Sequence, residues 1–313
     1  MLPRQDDYLK SILNVPLISH GQFNIDLIKS NPFSVLDYST DPVQVSHIKN
    51  QLRSQGLLDR VLFLTGDCNL VEDQVVFLPT LMLHRSLEYS AYSDNNKIKR
   101  DYKISCLNRI PREHKFYTYY KLLAKDSIIL SFNGLTDSNS KEPISYDDPW
   151  YYNLPKDLKE QLKNVPRYKE SFPEDNTWSN DLTPNHPAFT NAYLNIVTET
   201  NSRSAFYSEK ICKPLASNQF FLMSSGMKSL RGLRQLGVDC FDDIFDTHSY
   251  ENLENFVERI DAMISILDVV YPNLETIYAD YFSRIKANQE YFLSDSFRQK
   301  LLQPLKELGL LDK

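Results

Sequence analysis

The sequence predicts an α/β protein made of two domains. Short apolar segments rich in β-branched or aromatic residues alternate with segments of helical spacing, and this alternation runs twice along the chain. The stretch "SDNNKIKRD" (93–101) is the most polar one before the alternation restarts, and 313 residues are enough for two domains. Such alternation favours parallel sheets with helices on both faces. We therefore expect two Rossmann-like domains whose sheets face each other across a cleft.

The first domain is placed at residues 1–98. Its strands are predicted in "FSVLDYS" and "RVLFLTGDC", and the polar segment between them has helical spacing at Val45, Ile48, Leu52 and Leu57. The run "QVVFLPTLMLH" is expected to add another strand. This order of elements is that of a β-α-β unit.

The second domain is placed at residues 99–285. It begins with a strand that ends near Leu107 and a helix whose apolar face is Phe116, Tyr120 and Leu123, and the strand "SIILSFNG" follows. An irregular insertion then covers about 135–190, with a short helix expected around "PKDLKEQLKNV". Long loops of this kind often carry binding functions.

After the insertion the alternation of strands and helices returns. The predicted order is the strand "AYLNIVTET", a helix from Ser208, the strand "QFFLMSS", the helix "MKSLRGLRQLG", a short strand through "CFDDIF" and a long helix from Asn252 to about Leu267. Residues 286–313 are expected to form a C-terminal helical segment, for which a return to the N-terminal domain is one option.

Composition and charge exclude several classes of protein. The net charge of -6 disfavours a protein that coats nucleic acid, although it allows a local basic groove. The four cysteines are far apart and predict neither a zinc site nor a disulfide framework. The acidic start "MLPRQDDYLK" does not fit a signal peptide, and no apolar window is long enough to span a membrane. The expected location is cytoplasmic.

GxGxxG and GxxxxGK[ST] motifs are absent, so neither dinucleotide nor P-loop binding is predicted.

The segment "SAFYSEKICKPLA" places an acid and a base at the start of a predicted helix. Ser208 is a suitable N-cap, and Glu209 in the first turn complements the helix dipole. Glu209 and Lys210 also follow a strand, where open parallel sheets bind ligands. A purely stabilising cap and an anion-binding site are both consistent with this pattern.

A second cationic turn favours a binding site. The segment "LNRIPREHK" places Arg109, Arg112, His114 and Lys115 between a strand and a helix. Cations at a helix start oppose the dipole, so a merely solvated helix start is disfavoured. Arginine and lysine side chains at one strand end suit a diphosphate.

With these two segments, the chain resembles GT-B glycosyltransferases, specifically the donor-binding domain of the α1,3-fucosyltransferase-like group. The matching pieces occur in order as a strand followed by "NRIPR", then "NIVTETN", then "FYSEKICKPLA", then "FFLMSSG". The segment "LRQLGVDCFDDIFDTHSYENLENFVERI" looks like one found in viral and bacterial relatives. The resemblance covers roughly residues 103–265 apart from the insertion, and the Glu-Lys helix is its most specific part.

The resemblance implies a fold, a reaction and a set of residues. The fold would be GT-B, and the donor would be a nucleotide-sugar, with no cofactor and no metal. Glu209 would hold the ribose hydroxyls, while Lys210 and one of two arginines would neutralise the diphosphate as it leaves. The implied donor-binding residues are Arg109, Arg112, Asn201, Ser208, Glu209 and Lys210. The spacing in "NRIPREHKF", the "SSG" turn and His248 depart from the family, so the nucleotide and the sugar are not carried over.

An inverting transferase also needs a base that accepts the proton of the attacking hydroxyl. The candidates are Asp37 at the end of "SVLD", Asp67 after "FLTG", and His20. Asp67 follows a strand and a glycine, a position that faces the cleft, although an aspartate there also suits a turn or a helix cap. His47 and His84 are interpreted as ordinary histidines.

The cluster Trp150, Tyr151 and Tyr152 in the insertion has two interpretations. These rings could stack on an acceptor sugar or base, or they could pin the loop to the core. We favour the second interpretation.

Three hypotheses of function follow from the sequence. The first is a hexosyl- or pentosyltransferase that transfers a sugar from a nucleotide-diphosphate donor to a glycan hydroxyl, with inversion and without a metal, in a bacterium or a virus. The second is a phage-type enzyme that modifies a hydroxymethylated base in DNA, which requires a basic strip such as "HIKNQLRSQGLLDR" or "DNNKIKRDYK". The third is a nucleotide-sugar-binding or interaction protein without catalytic activity.

Overall fold

Two separate parallel sheets, each associated with helices, form the framework of the protein. The computed structural model describes residues 5–38, 44–91, 96–108, 112–132, 168–169, 183–200 and 202–311. One sheet has four strands and the other has five. This arrangement confirms the predicted α/β class with two sheets, as in a GT-B-like fold.

The first sheet lies within residues 17–77. Its strands are β1 (Leu17–Ser19), β2 (Ser34–Tyr38), β3 (Val61–Thr65) and β4 (Val75–Phe77), all parallel. Helices α2 (Ile25–Ser30) and α3 (Val45–Ser54) connect the first three strands, after an N-terminal helix α1 (Gln5–Ile12). The run "QVVFLPTLMLH" divides into β4 and helix α4 (Thr80–Tyr89), because Pro79 suits the start of a helix but not a strand interior.

The strands of the first sheet alternate between two apolar faces. Leu36 and Phe63 pack in a cluster with Ile28, Ile48 and Leu52 of the connecting helices. The neighbouring strand residues point the other way into a larger core, which also contains α4 and the C-terminal helices. Burial on both faces explains why these strands are continuous apolar runs.

In the first sheet the strands lie in the order of the chain, whereas in the second sheet they do not. Its strands are β5 (Tyr102–Asn108), β6 (Ile128–Phe132), β7 (Tyr168–Lys169), β8 (Ala192–Thr198) and β9 (Phe220–Ser224), and only the two-residue β7 is antiparallel. β5 lies between β6 and β8. Helix α5 (Glu113–Leu122) leads from β5 to β6, and α7 (Glu209–Ala216) leads from β8 to β9, after a short α6 (Pro187–Thr190). The connections therefore leave β5 and β8 in opposite directions, which creates a topological switch point.

Seven more helices follow β9. They are α8 (Ser229–Gln235), α9 (Asp242–Phe245), α10 (His248–Glu251), α11 (Phe256–Val270), α12 (Leu274–Asp280), α13 (Phe282–Leu293) and α14 (Asp295–Glu307). The strand predicted through "CFDDIF" is wrong. Phe241 has a φ of 56° and donates its N–H to Asp239 Oδ1, so the chain turns there and α9 begins. The long helix starts at Phe256 rather than near Asn252, because Asn255 caps it.

The C-terminal segment packs against the first domain. The Asn14 N–H donates to Leu310 O at 3.1 Å, and Leu13 forms a bridge with Leu311. Leu301 and Leu305 of α14 share the larger core with residues of both sheets. In the described ranges, which omit most of 133–182, no helix is long and apolar enough to cross a membrane. The helix expected around "PKDLKEQLKNV" and the cluster Trp150 to Tyr152 lie outside the described residues.

Candidate functional site

The carboxyl ends of β5 and β8 meet at the switch point of the second sheet. Ligands of open parallel sheets bind in the crevice at this point. The Thr198 hydroxyl donates a hydrogen bond to Asn108 Oδ1, which joins the ends of the two strands. Helices α5 and α7 both begin after these strands, so the positive ends of two helix dipoles lie at this edge. We take this edge as the candidate site.

Ser208 begins α7 as its N-cap, because its side-chain oxygen accepts the Lys210 N–H. The Lys210 ammonium folds back over the cap, 3.1 Å from Ser208 Oγ and 3.3 Å from Thr200 Oγ1. It also lies 3.2 Å from Glu209 Oε1. The first turn of α7 thus presents a carboxylate and an ammonium side by side, both partly exposed.

Glu199 is fully buried directly after β8 and holds this cap in place. Its two carboxyl oxygens accept the N–H and the hydroxyl of Ser208. Its backbone carbonyl accepts a hydrogen bond, at 2.7 Å, from Nε2 of His114, which lies in the first turn of α5. Burial raises the pKa of Glu199 against the opposing effect of Lys210, and burial lowers the pKa of His114 to about 3. Glu199 therefore links the starts of both helices, with His114 as a neutral donor.

Lys115 lies in the first turn of α5 with only 2% of its surface exposed. Over the part of the chain that the structure describes, its ammonium makes no hydrogen bond and no ion pair. Burial lowers the pKa of Lys115 to about 7, and repulsion from Lys210 and Arg112 adds to this effect against attraction from Glu199 and Glu209. Burying an unpaired cation costs free energy, so Lys115 is not explained by stability.

Glu209 is ionised at neutral pH. Burial acts to raise its pKa, but Lys210 and Lys213 lower the pKa below its usual value. An ionised carboxylate only accepts hydrogen bonds, and its two oxygens suit two neighbouring hydroxyl groups of a ligand.

A cavity of about 670 Å³ opens at the same edge of the second sheet. It lies between the start of α5, the segments after β8 and β9, and the start of α11. Its lining consists of Glu113, Ser202, Arg203, Met227, Glu254, Asn255 and Phe256. The volume suits a small molecule, and the lining combines an aromatic ring with charged and amide groups. Another cavity, of about 570 Å³, lies at the amino ends of β2 and β3 beside Leu308 to Leu310.

The structure describes four of the six predicted donor-binding residues and places them at the starts of α5 and α7. The structure places Arg112 at the N-cap position of α5 with an exposed side chain, and it places the other described residues at the start of α7. The described members of the set are Arg112, Ser208, Glu209 and Lys210, and Arg109 and Asn201 lie outside the described residues. Their role in binding a donor stays a prediction.

Asp67, a candidate base, lies after β3 and reaches the second domain. It is 4% exposed, and its carboxylate accepts the backbone N–H groups of Asn69 and Ala205. Ala205 belongs to the segment that leads from β8 to α7. Burial raises the pKa of Asp67 despite these hydrogen bonds. Asp67 therefore lies close to the candidate site and also joins the two domains.

Two neighbours of Asp67 strengthen this contact. Asn69 Nδ2 donates to Met227 O at 3.1 Å, and Cys68 Sγ lies 3.7 Å from Lys228 O. Met227 also lines the larger cavity. The loop after β3 thus fixes the segment after β9.

Asp37 lies within β2 and is 5% exposed. Its register partners are Ser19 and Leu64, and partners in register share a face of the sheet. Leu64 belongs to the larger core, so Asp37 faces that side. The side chain of His20, the third candidate, lies outside what the structure describes.

Sequence reasoning finds Lys115 as part of a basic turn but misses Glu199. A polar residue directly after a buried strand, next to an expected switch point, is the signal that indicates Glu199. Its partner Ser208 is nine residues away, across an irregular segment with no periodicity. That pairing could not be predicted.

In the described ranges, no group of three or more His, Cys, Asp or Glu side chains could hold a metal ion. The four cysteines are buried and form no disulfide. Comparisons with protein-family models, curated proteins and solved structures find no match to this chain. The likeness to fucosyltransferase-like enzymes therefore rests on the motifs quoted above.

Proposed function

We propose that this protein is a glycosyltransferase that transfers a sugar from a nucleotide-diphosphate donor to a hydroxyl of a glycan, with inversion and without a metal. One observation carries the proposal. The Lys115 and Lys210 side chains and the starts of α5 and α7 all belong to the switch point of the second sheet. Departure of a nucleoside diphosphate builds negative charge on its oxygens, and prepositioned cations and dipoles stabilise that charge.

Each charged group at the start of α7 has a role in this proposal. Glu209 accepts hydrogen bonds from the ribose hydroxyls, and Lys210 and an arginine of the "NRIPR" segment contact the diphosphate. The geometry of Lys210 supports this, because its ammonium is already positioned by Ser208 and Thr200. Positioned donors lose little entropy when the ligand binds.

A thermal-shift panel tests donor binding. We expect one of UDP, GDP, ADP or CMP, or its sugar conjugate, to raise the melting temperature by roughly 3–6 °C at a concentration about 100 times Kd. Glu209→Ala and Lys210→Met should lose that response. Glu290→Ala is the control, because Glu290 is an exposed residue of α13. If no nucleotide stabilises folded protein, the proposal is wrong.

The proposed base is Asp67 or Asp37. Burial raises the pKa of Asp67, which makes its carboxylate a stronger base. Asp67→Asn and Asp37→Asn should retain the thermal shift with the donor, and one of them should lose sugar transfer. Retention of transfer by both variants would exclude both as the base.

Binding without catalysis is a second candidate function. It is favoured by the hydrogen bonds of Asp67 to Asn69 and Ala205, which occupy part of its carboxylate with backbone groups. Donor binding with neither transfer nor hydrolysis, for every acceptor tried, would support this candidate.

A further inference from the structure

Lys115 is a buried charged group for which the described structure provides no partner. Glu199 is a buried carboxyl group that acts on Lys115, but both of its oxygens accept hydrogen bonds from Ser208. Glu209 Oε1 is paired with Lys210. Neither carboxylate lies within ion-pair distance of the Lys115 ammonium. The described residues therefore provide it with neither an ion pair nor a hydrogen bond.

The surroundings of Lys115 favour an anion. On α7 and before α5, the charges of Lys210 and Arg112 repel its ammonium. On β5, the Cys106 thiol is neutral because burial raises its pKa to about 12, and His114 on α5 is neutral as well. The charged and titratable groups that act on Lys115 are Arg112, His114, Glu199, Glu209, Lys210 and Cys106.

We propose that Lys115 contacts the phosphate oxygens of the bound donor and that its amine takes up a proton from solvent when the diphosphate binds. The proton adds to the Nζ lone pair, and no covalent bond to the ligand forms. The proposal rests on the proposed function, since it assigns a further binding residue to the same site. The buried, unpaired position of Lys115 beside Lys210 carries it, and the lowered pKa of Lys115 supports it.

Two opposing effects on the pKa of Lys115 explain the proton uptake: burial lowers the pKa, and attraction to a bound anion raises it. Without a bound ligand, burial and repulsion by Lys210 and Arg112 disfavour the ammonium, so the neutral amine is favoured above about pH 7. A diphosphate supplies the missing negative charge and acceptor oxygens, which favour the ammonium. Binding and protonation are therefore linked, and above neutral pH the affinity should fall by up to about tenfold per pH unit.

Isothermal titration calorimetry in two buffers of different ionisation enthalpy measures this linkage. The probe is the nucleoside diphosphate that gives the largest thermal shift, at about pH 8, where its terminal phosphate is already ionised. We expect uptake of close to one proton by the wild-type protein. Lys115→Met should bind about 10- to 100-fold more weakly with no uptake. Lys115→Arg has a permanent charge and should bind without uptake.

Lys121→Met is the matched control on the same helix. Lys121 is paired with Asp261 at 2.7 Å, so this variant should keep both the affinity and the proton uptake. Binding by the wild-type protein without uptake, or uptake that persists in Lys115→Met, would overturn this proposal while leaving the proposed function intact. Absence of any diphosphate binding would overturn both.

Discussion

At the scale of single residues, the candidate site buries two ionisable side chains. Glu199 and Lys115 lie at the end of β8 and the start of α5 with almost no exposed surface. Taking a charged group out of water costs several kcal/mol unless it is paired. Glu199 recovers part of that cost through Ser208, whereas Lys115 has no such bond in the described structure.

Replacing Lys115 should make the protein more stable in a pH-dependent way. The pKa of Lys115 is lowered from 10.5 to about 7 by burial, so the unfolded chain binds more protons between these values. The unfolding free energy of the wild-type protein should therefore fall as the pH falls from about 10 to 7. Lys115→Met should not show this decrease. Its unfolding free energy should exceed that of the wild type most at and below pH 7, by on the order of a few kcal/mol.

Urea unfolding of both proteins across this pH range is the measurement. The difference in unfolding free energy should shrink toward zero as the pH approaches about 10. A difference that does not depend on pH would mean that Lys115 is charged in the native protein throughout.

Replacing Glu199 should disturb Ser208 and, through it, Lys210. Glu199→Ala leaves the Ser208 N–H and hydroxyl without their partner and should cost about 2–4 kcal/mol. Glu199→Gln keeps one acceptor and should cost less. Both variants are compared by urea unfolding and by the affinity for a diphosphate. If Glu199→Ala keeps full affinity, Glu199 does not position Lys210.

Residue types near strand ends were predictable, and their burial was not. The motif "FYSEKICKPLA" indicates the cap by Ser208 and the pair that follows, because capping depends on local sequence. The burial of Lys115 depends on how α5 packs against the sheet. Local sequence contains no information on that packing, so Lys115 could not be distinguished from Arg112 beforehand.

At the scale of elements, the segment between β8 and α7 is held from two sides. Asp67 accepts the Ala205 N–H from the first domain. Gly226, after β9, approaches Ser204 closely, since a Cβ at Gly226 would lie 2.0 Å from Ser204 O. The site therefore depends on close backbone packing as well as on its charged side chains.

Gly226→Ala should be strongly destabilising. The added methyl group overlaps backbone atoms of Ser204, which cannot move without shifting the segment before α7. We expect a loss of about 3 kcal/mol or more, together with weaker diphosphate binding. Gly21→Ala is the control, because nothing lies within 4 Å of its Cβ position, and it should change stability by less than about 0.5 kcal/mol. Equal effects of the two substitutions, measured by urea unfolding, would contradict this packing.

Arg100 joins several elements at the opposite end of the second sheet. Its two Nη atoms donate to the carbonyl oxygens of Phe189, Ala192, Ser217 and Asn218 at 2.7–2.9 Å. Arg100→Met would remove all four hydrogen bonds. Ala192 O and Asn218 O would keep Gln219 and Tyr278 as donors, and the loss should cost about 3–5 kcal/mol.

Thermal unfolding and diphosphate binding together test this role of Arg100. Because the contacts lie at the end of α7 away from Glu209, the folded variant should bind a diphosphate with unchanged affinity. A stability close to that of the wild type would contradict the hydrogen-bonding role.

Most of the main elements could be predicted, and the exceptions have local causes. Strands such as β8 and β9 are largely apolar runs of the length that is typical of buried parallel strands. The error at "CFDDIF" arose because an apolar, aromatic segment favours a strand. In the structure Phe241 instead has a positive φ and donates its N–H to the side chain of Asp239. The strand order of each sheet also depends on tertiary contacts and was not predictable from periodicity.

At the scale of the whole molecule, one core joins the two domains. The larger cluster contains Leu64 of the first sheet, Leu194 of the second sheet and Leu305 of α14. Helix α4 also packs directly on α7. Residues distant in sequence therefore lose contacts together when either domain opens.

We expect the protein to unfold in one cooperative transition. Because Leu64, Leu194 and Leu305 belong to a continuous core, Leu→Ala at each position should cost about 2–5 kcal/mol and lower the midpoint of the same transition. Leu27→Ala is the control, because Leu27 is 45% exposed, and it should have little effect. Differential scanning calorimetry should give a calorimetric enthalpy equal to the van't Hoff enthalpy. Two resolved transitions, with Leu64→Ala shifting one and Leu194→Ala the other, would show that the domains unfold independently and that the shared core does not couple them.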